Sequence, residues 1–360
     1  MLQKTNMKDQ FLLLLMALMM PLAACSSPDS GWSDNQMPIL NASGEIRLFH
    51  QDKSMGHEAI DDAFARLREI ESVFSFNDPS SQIGRINRSA GNDSTSVTDE
   101  VRFLVEEGLR HYTLSDGLFH IGLGNLISLW GFNNDQPRIP EAEAITATLE
   151  AANLDFVQLS GNEVVIFERG LSLHLDELAK GYALDEAARV LRDLGIASGL
   201  ITLGDDVYAL GEKPGGDSWH VWIKAPFSPD HDLLGYLEVI NLAVTTTGND
   251  IPLPNQNHEP TYHHQVLNPR TGRLVSNDLA SVIVVSDTGL DGSLYSTTAF
   301  IMGLDGGYRY LLEAPGVEGL FITQDNTIYT TPGLSGMFHL TDQEKYSIQV
   351  MVIEEEPEND

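Results

Sequence analysis

Helix-like and strand-like stretches follow one another irregularly along this 360-residue chain, and that irregular order limits the folds open to it. Ile60, Phe64, Leu67, Ile70 and Phe74 recur at three- and four-residue steps, which predicts a helix over roughly 57–75. A strand, Glu45-Ile46-Arg47-Leu48-Phe49, precedes it, and residues 77–96, rich in Asn, Asp, Ser and Gly, read as a long loop. Thr98-Asp99 opens a second helix that carries Val101, Leu104, Val105, Leu109 and Tyr112. Further helices are expected near 120–130, 141–152, 177–194, 291–302 and 306–313. Strands are expected at 155–159, 163–168, 199–203, 206–210, 219–224, 234–247, 262–267, 281–286 and 319–323. Strict βαβ alternation is missing, so the pattern favours one α+β domain over a doubly wound parallel sheet. Neither an internal repeat nor a Pro/Ser linker interrupts 44–350.

The chain opens differently. Lys4 and Lys8 precede an apolar run from Phe11 to Met20, then Pro21-Leu22-Ala23-Ala24-Cys25. A short positive region, about ten apolar residues and then small residues make a secretory signal, too short to span a membrane. Residues 25–43 read as a flexible tether, its first part rich in Ser, Asp, Asn and Pro, and 44–350 as the folded domain. The last residues, 351–360, form an acidic tail.

Charge narrows the partners. With 21 Lys+Arg against 52 Asp+Glu, the formal net charge is −31, opposite to what a phosphate-binding nucleic-acid protein needs. The single Cys excludes an internal disulfide and any Cys-based zinc or iron–sulfur site.

Leu22-Ala23-Ala24-Cys25 is similar to the lipobox of bacterial lipoproteins, which implies acylation of Cys25 and a lipid-anchored protein of the cell envelope facing the periplasm. Several motifs, in order, resemble those of the ApbE family of bacterial flavin transferases. They are Ile83-Gly84-Arg85-Ile86-Asn87, Leu114-Ser115-Asp116-Gly117-Leu118-Phe119, Leu129-Trp130-Gly131-Phe132, Leu178-Ala179-Lys180-Gly181-Tyr182-Ala183-Leu184-Asp185, Val244-Thr245-Thr246-Thr247-Gly248 and Asn268-Pro269-Arg270-Thr271-Gly272. Together they span about 45–335.

The resemblance implies a single T-fold-related α+β domain that takes FAD as substrate with Mg²⁺. It implies transfer of FMN to a Thr hydroxyl of an exported acceptor protein, with release of AMP. Displacement at phosphorus needs a cation to screen the pyrophosphate, a base for the hydroxyl and a positioned nucleotide. On the family pattern the flavin nucleotide is contacted at Phe76, Leu118, Phe119, His120, His174, Lys180, Gln265 and Val266. Lys180 holds the pyrophosphate or another polar group, unless it is simply a surface lysine.

Several of these positions depart from the pattern. His174 and His120 each stand where the family has Asp, Gly122 where it has Thr, and Asp205 where it has a glycine. The family's Mg²⁺ ligands fall on Thr297, on Ser293 in place of Asp, and on the backbone carbonyl at Glu177. The Glu177 carboxylate then offers a replacement for the missing charge, although Asp176 and Glu177 also suit a helix start electrostatically. The family's basic His falls on Gln265, and a one-residue bulge brings His264 into that role. His258, His263 and His264 also suggest a metal cluster, but neighbouring strand residues point to opposite faces. These departures leave two alternatives to a transferase: a non-catalytic lipoprotein that binds flavin or a partner, and an FAD pyrophosphatase.

Overall fold

The structure, a computed structural model, describes residues 31–351 apart from 135–136, 227, 229–231, 249–250 and 255–259, with the side chains of 251–254 and 260–263 also outside the description. The signal, Cys25, His258 and the end of the acidic tail therefore lie outside the described residues. The helices are α1 (Lys53–Phe74), α2 (Gln82–Ser89), α3 (Asp99–Leu114), α4 (Gly124–Trp130), α5 (Ala142–Glu150), α6 (Asp176–Asp193) and α7 (Gly289–Glu313).

One large sheet carries the fold. Its strands are β1 (Trp32–Ile39), β2 (Ala42–Phe49), β3 (Gly199–Leu203), β4 (Asp206–Leu210), β5 (Leu242–Thr247), β6 (Leu279–Ser286), β7 (Val317–Thr323), β8 (Thr327–Thr330) and β9 (Ser347–Gln349). They lie side by side in chain order, antiparallel except for the parallel pair β8 and β9. This is the α+β architecture expected from the irregular order of elements.

Both faces of the sheet are covered, so its middle strands are apolar on both sides. In β6 every position is buried. Val282 and Val284 pack with Ala299 and Phe300 of α7, while Ile283 and Val285 meet Trp219, Val221, Ile223 and Leu237 of a small sheet. That small sheet joins Trp219–Lys224, Leu233–Val239 and Phe338–Leu340. Helices α1 and α6 cover β2 and β3, where Ile60, Phe64 and Leu67 meet Ile46, Leu48, Ile201, Ala187 and Leu191.

Four expectations need correction. The proposed tether 25–43 contains β1, which pairs with β2 from Trp32↔Phe49 to Ile39↔Ala42. Its polar composition is that of an edge strand, which tolerates Pro38 and shows polar side chains to solvent. Leu40 and Asn41 close the hairpin with φ of 52° and 56°, a two-residue turn without the usual glycine. The loop 77–96 contains α2, capped by the Ser81 hydroxyl, which accepts from the Gly84 amide at 2.8 Å. The run 234–247 is two strands in different sheets, separated at Asn241, where φ is 54°. Finally, 262–267 is a strand only to His263.

The segments expected at 291–302 and 306–313 belong to α7, which bends at Gly303 with φ 79°. Helix α6 crosses the start of α7 at backbone contact. A Cβ on Gly181 would lie 2.3 Å from the Gly289 carbonyl oxygen, and one on Gly289 would lie 2.5 Å from the Gly181 carbonyl oxygen. Asp185, one turn beyond Gly181, accepts from the amides of Gly289 (2.6 Å) and Leu290 (3.0 Å). It thereby satisfies two donors that a helix start leaves without internal partners.

Two predictions follow from this crossing. Gly289→Ala forces a methyl against main chain that has no side chain to move, so it should cost about 1–3 kcal/mol in a urea titration. An unchanged midpoint would mean the helices are not in contact there. Burial pushes the Asp185 carboxyl from 3.8 up to about 6, against two amide bonds that favour its charged form. A raised carboxyl gives stability that is complete below its unfolded value and lost as pH rises through its folded one. Asp185→Asn should remove that part of the pH profile, changing the difference from wild type by up to about 3 kcal/mol between acid and neutral pH. Parallel profiles would refute the shift.

Candidate active site

Lys180 lies on α6 next to the glycine of the crossing, with its side chain only 20% exposed. Its ammonium is 2.9 Å from Asp206 Oδ2 and 3.8 Å from Glu177 Oε1. Burial works against the charge, but Asp206 and Glu177 outweigh it and hold the ammonium protonated above the ordinary lysine range. Asp206 opens β4, and its other oxygen accepts from the Thr246 amide of β5 at 2.8 Å. The pair thus ties α6 to two neighbouring strands. The extra acid, Asp205, faces outward to Lys224 at 2.6 Å and leaves Lys180 to its neighbour.

One wall of the site is the extended chain that runs into α6. Asn87 fixes it by donating to the Leu173 carbonyl (2.8 Å) and accepting from the Leu173 amide (2.7 Å). The segment before α4 runs alongside, where Gly124 donates to the Ser172 carbonyl at 2.9 Å and the His174 amide donates to the Ile121 carbonyl at 2.8 Å. Phe76 packs on this wall with its ring 4.9 Å from that of His174. Nε2 of His174 is 3.6 Å from Asp176 Oδ2, so the substituted imidazole has a carboxylate beside it.

The residues of Leu118-Phe119-His120 separate. Phe119 is 5% exposed in the main core, edge-on to His111 at 5.3 Å. His120 packs on Tyr112 at 5.0 Å and accepts the Gly122 amide at Nδ1, which places its proton on Nε2. Burial brings its pKa down to about 4, so the ring is neutral at physiological pH. Leu118 stays partly exposed beside them.

Across the crossing, α7 presents hydroxyls. Ser293 is fully buried, its Oγ only 2.6 Å from where a Cβ on Gly181 would sit, and it has no hydrogen-bond partner. Thr297 is one turn further on, 3.3 Å from the Thr247 hydroxyl. Asp185 meets Gly289 and Gly181 meets Ser293, so the helices run in opposite directions. One turn back on α6 and one turn forward on α7 then place Glu177 toward the Thr297 end. No group of three or more His, Cys, Asp or Glu is placed to hold a metal among the described residues. The donors here are instead hard oxygens, two hydroxyls and one carboxylate, which suit a divalent cation that also binds phosphate.

His264 is partly buried and its ring meets Phe300 edge-on at 4.7 Å. Phe300 is one turn beyond Thr297 on α7. Gln265 is exposed, so His264, and not Gln265, is the residue turned toward α7. Val266 is partly buried and its carbonyl accepts from the Val275 amide at 3.0 Å. The turn that follows is built by Asn268, whose carbonyl accepts from the Gly272 amide (2.8 Å) and whose side chain accepts from the Arg270 amide (2.9 Å). Trp130 donates to the Gly272 carbonyl at 3.0 Å and Arg270 pairs with Asp116 at 2.5 Å. Three separate motifs therefore meet at one turn.

Lys180, Glu177, Ser293 and Thr297 come together, with His264 packed on Phe300 one turn further along α7, and Phe76 and His174 form the adjoining wall. Phe119 belongs to the core. Asp206 is the residue that sequence reasoning missed. Its signal was a buried-lysine problem: a Lys beside the Gly of a helix crossing requires a counter-ion, and Gly204-Asp205-Asp206 at a strand start offers two acids.

Known proteins resemble the chain as a whole. The model of the ApbE family matches residues 40–321. A protein of Klebsiella pneumoniae (strain 342) named FAD:protein FMN transferase is 28% identical over 285 residues, covering 79% of this chain and 86% of that protein. One of the same name from Treponema pallidum (strain Nichols) is 26% identical over 293 residues, covering 77% and 80%. Among solved structures, the flavin transferase ApbE of Vibrio cholerae superposes with a TM-score of 0.74 at 21% identity, over 85% of this chain and 99% of its own. The ApbE protein of Thermotoga maritima gives 0.76 at 23% identity, over 85% and 99%. With the family model spanning residues 40–321, most of the folded domain, this chain belongs to the ApbE family.

Proposed function

We propose that this protein moves FMN from FAD to a threonine hydroxyl of an exported acceptor protein, releasing AMP. The observation that carries the reading is the Lys180 ammonium, protonated and pinned by Asp206 where α6 crosses α7. A fixed cation in a half-buried site stabilises a pyrophosphate far better than a mobile one in water, because it is already oriented. Phe76 and His174 offer ring surfaces for an aromatic part of the nucleotide. His264 takes the proton of the acceptor hydroxyl as that oxygen bonds to the FMN phosphorus and the bond from phosphorus to the bridging oxygen breaks. The bridging oxygen leaves with AMP.

Mg²⁺ would be held by Glu177, Ser293 and Thr297, and when bound it supplies charge neutralisation at the pyrophosphate. The unpartnered Ser293 hydroxyl is the feature of this chain that supports such a site. Cys25 is the proposed point of lipid attachment, which would hold the protein in the cell envelope on the periplasmic side, where exported acceptors are found.

Two experiments test this reading. An acceptor domain incubated with the protein, FAD and Mg²⁺ should gain the mass of one FMN, and His264→Ala should slow that gain by about 10²-fold or more. Free FMN and AMP without a labelled acceptor would support the pyrophosphatase instead, and bound FAD left intact would support a binding protein. For the anchor, Cys25→Ser should move the protein from the membrane fraction to the soluble fraction. Persistence in the membrane would remove Cys25 from that role.

A further inference from the structure

We infer that the side chain of Glu177 provides the carboxylate of the cation site, bridging from α6 to Thr297 on α7, and that Ser293 contributes only a neutral hydroxyl. The inference rests on the proposal that a pyrophosphate binds beside Lys180.

The argument begins with what the crossing buries. Ser293 Oγ is wholly enclosed against Gly181 and makes no hydrogen bond, so an oxygen donor is oriented into the seam with nothing to bind. A hydroxyl alone holds a divalent cation poorly, because such ions need anionic oxygens as well. Four carboxylates lie close enough to consider. Asp206 bonds both Lys180 and the Thr246 amide and Asp205 is paired with Lys224, while Asp176 is one residue off the Gly181 face of α6, 3.6 Å from His174 Nε2.

Glu177 differs from all three. Its distance to Lys180, 3.8 Å, is beyond hydrogen-bond range, and its side chain is 44% exposed. Lys180 keeps its full partner in Asp206 when Glu177 turns away. The antiparallel register of the helices brings Glu177 to the Thr297 end of the seam, where both side chains are at least partly exposed. Its carboxylate can therefore swing onto a cation without breaking a hydrogen bond. In the absence of a cation the same carboxylate repels the pyrophosphate that Lys180 attracts.

This double role gives the test its sign. Mn²⁺ serves as the metal probe, followed by the loss of its free electron-paramagnetic signal in the presence of FAD, and FAD binding is followed by flavin fluorescence. Glu177→Gln should weaken Mn²⁺ binding at least tenfold, yet in EDTA it should bind FAD more tightly than wild type. A purely structural role for Glu177 would weaken both. Adding Ser293→Asp to Glu177→Gln should recover Mn²⁺ binding by returning a carboxylate to the opposite helix. Unchanged Mn²⁺ affinity in Glu177→Gln overturns the inference while FAD binding still upholds the proposed function. Failure of the wild type to bind FAD under any condition overturns both.

Discussion

The rest of the structure depends on two helices touching through glycine. Gly181 and Gly289 allow α6 and α7 to approach until each backbone meets the other, and Asp185 locks the approach by accepting two amides at the start of α7. The seam between the helices follows from that distance. It encloses Ser293, and it brings the first turn of α6 to the hydroxyl face of α7. A larger residue at either glycine would separate groups that come from distant parts of the sequence, 176–180 and 293–297.

The sheet underneath serves this crossing by being rigid. Its central strands are apolar on both faces because helices cover one side and the small sheet of Trp219–Lys224 covers the other. A strand buried on both sides cannot slip in register without exposing its core side chains, so β4 and β5 deliver Asp206 and Thr246 to fixed places. The site is thus made by rigid elements, with the turn at Asn268 joined to it through Trp130 and Arg270.

Much of the fold was legible in the sequence, for reasons that differ by element. The helix of Ile60, Phe64 and Leu67 announced itself through spacing, because one of its faces is buried along its whole length. β1 did not, since an edge strand with one solvent face and a proline has the composition of a loop. The short helix at Gln82–Ser89 escaped for a similar reason: eight residues hold only two turns of pattern. At the site, motif order pointed to Lys180 and Thr297, and the structure places them on the two helices that cross. Asp206 was not, because its importance lies in a partner 26 positions away in the chain and across the fold. Between His264 and Gln265 the sequence pointed to His264 only through an assumed one-residue bulge, because which of two adjacent side chains faces α7 is decided by the fold.

The early start of β1 has a consequence for reach. Only seven peptide steps separate Cys25 from Trp32, the first residue of the sheet. Fully extended, they span at most about 25 Å. Trp32 is itself fixed to the body, with Phe49 5.5 Å and Trp219 5.9 Å from its ring. With Cys25 as the anchor proposed above, the folded domain would be held within about 25 Å of the membrane surface. An acceptor protein would then have to present its target residue close to the membrane surface.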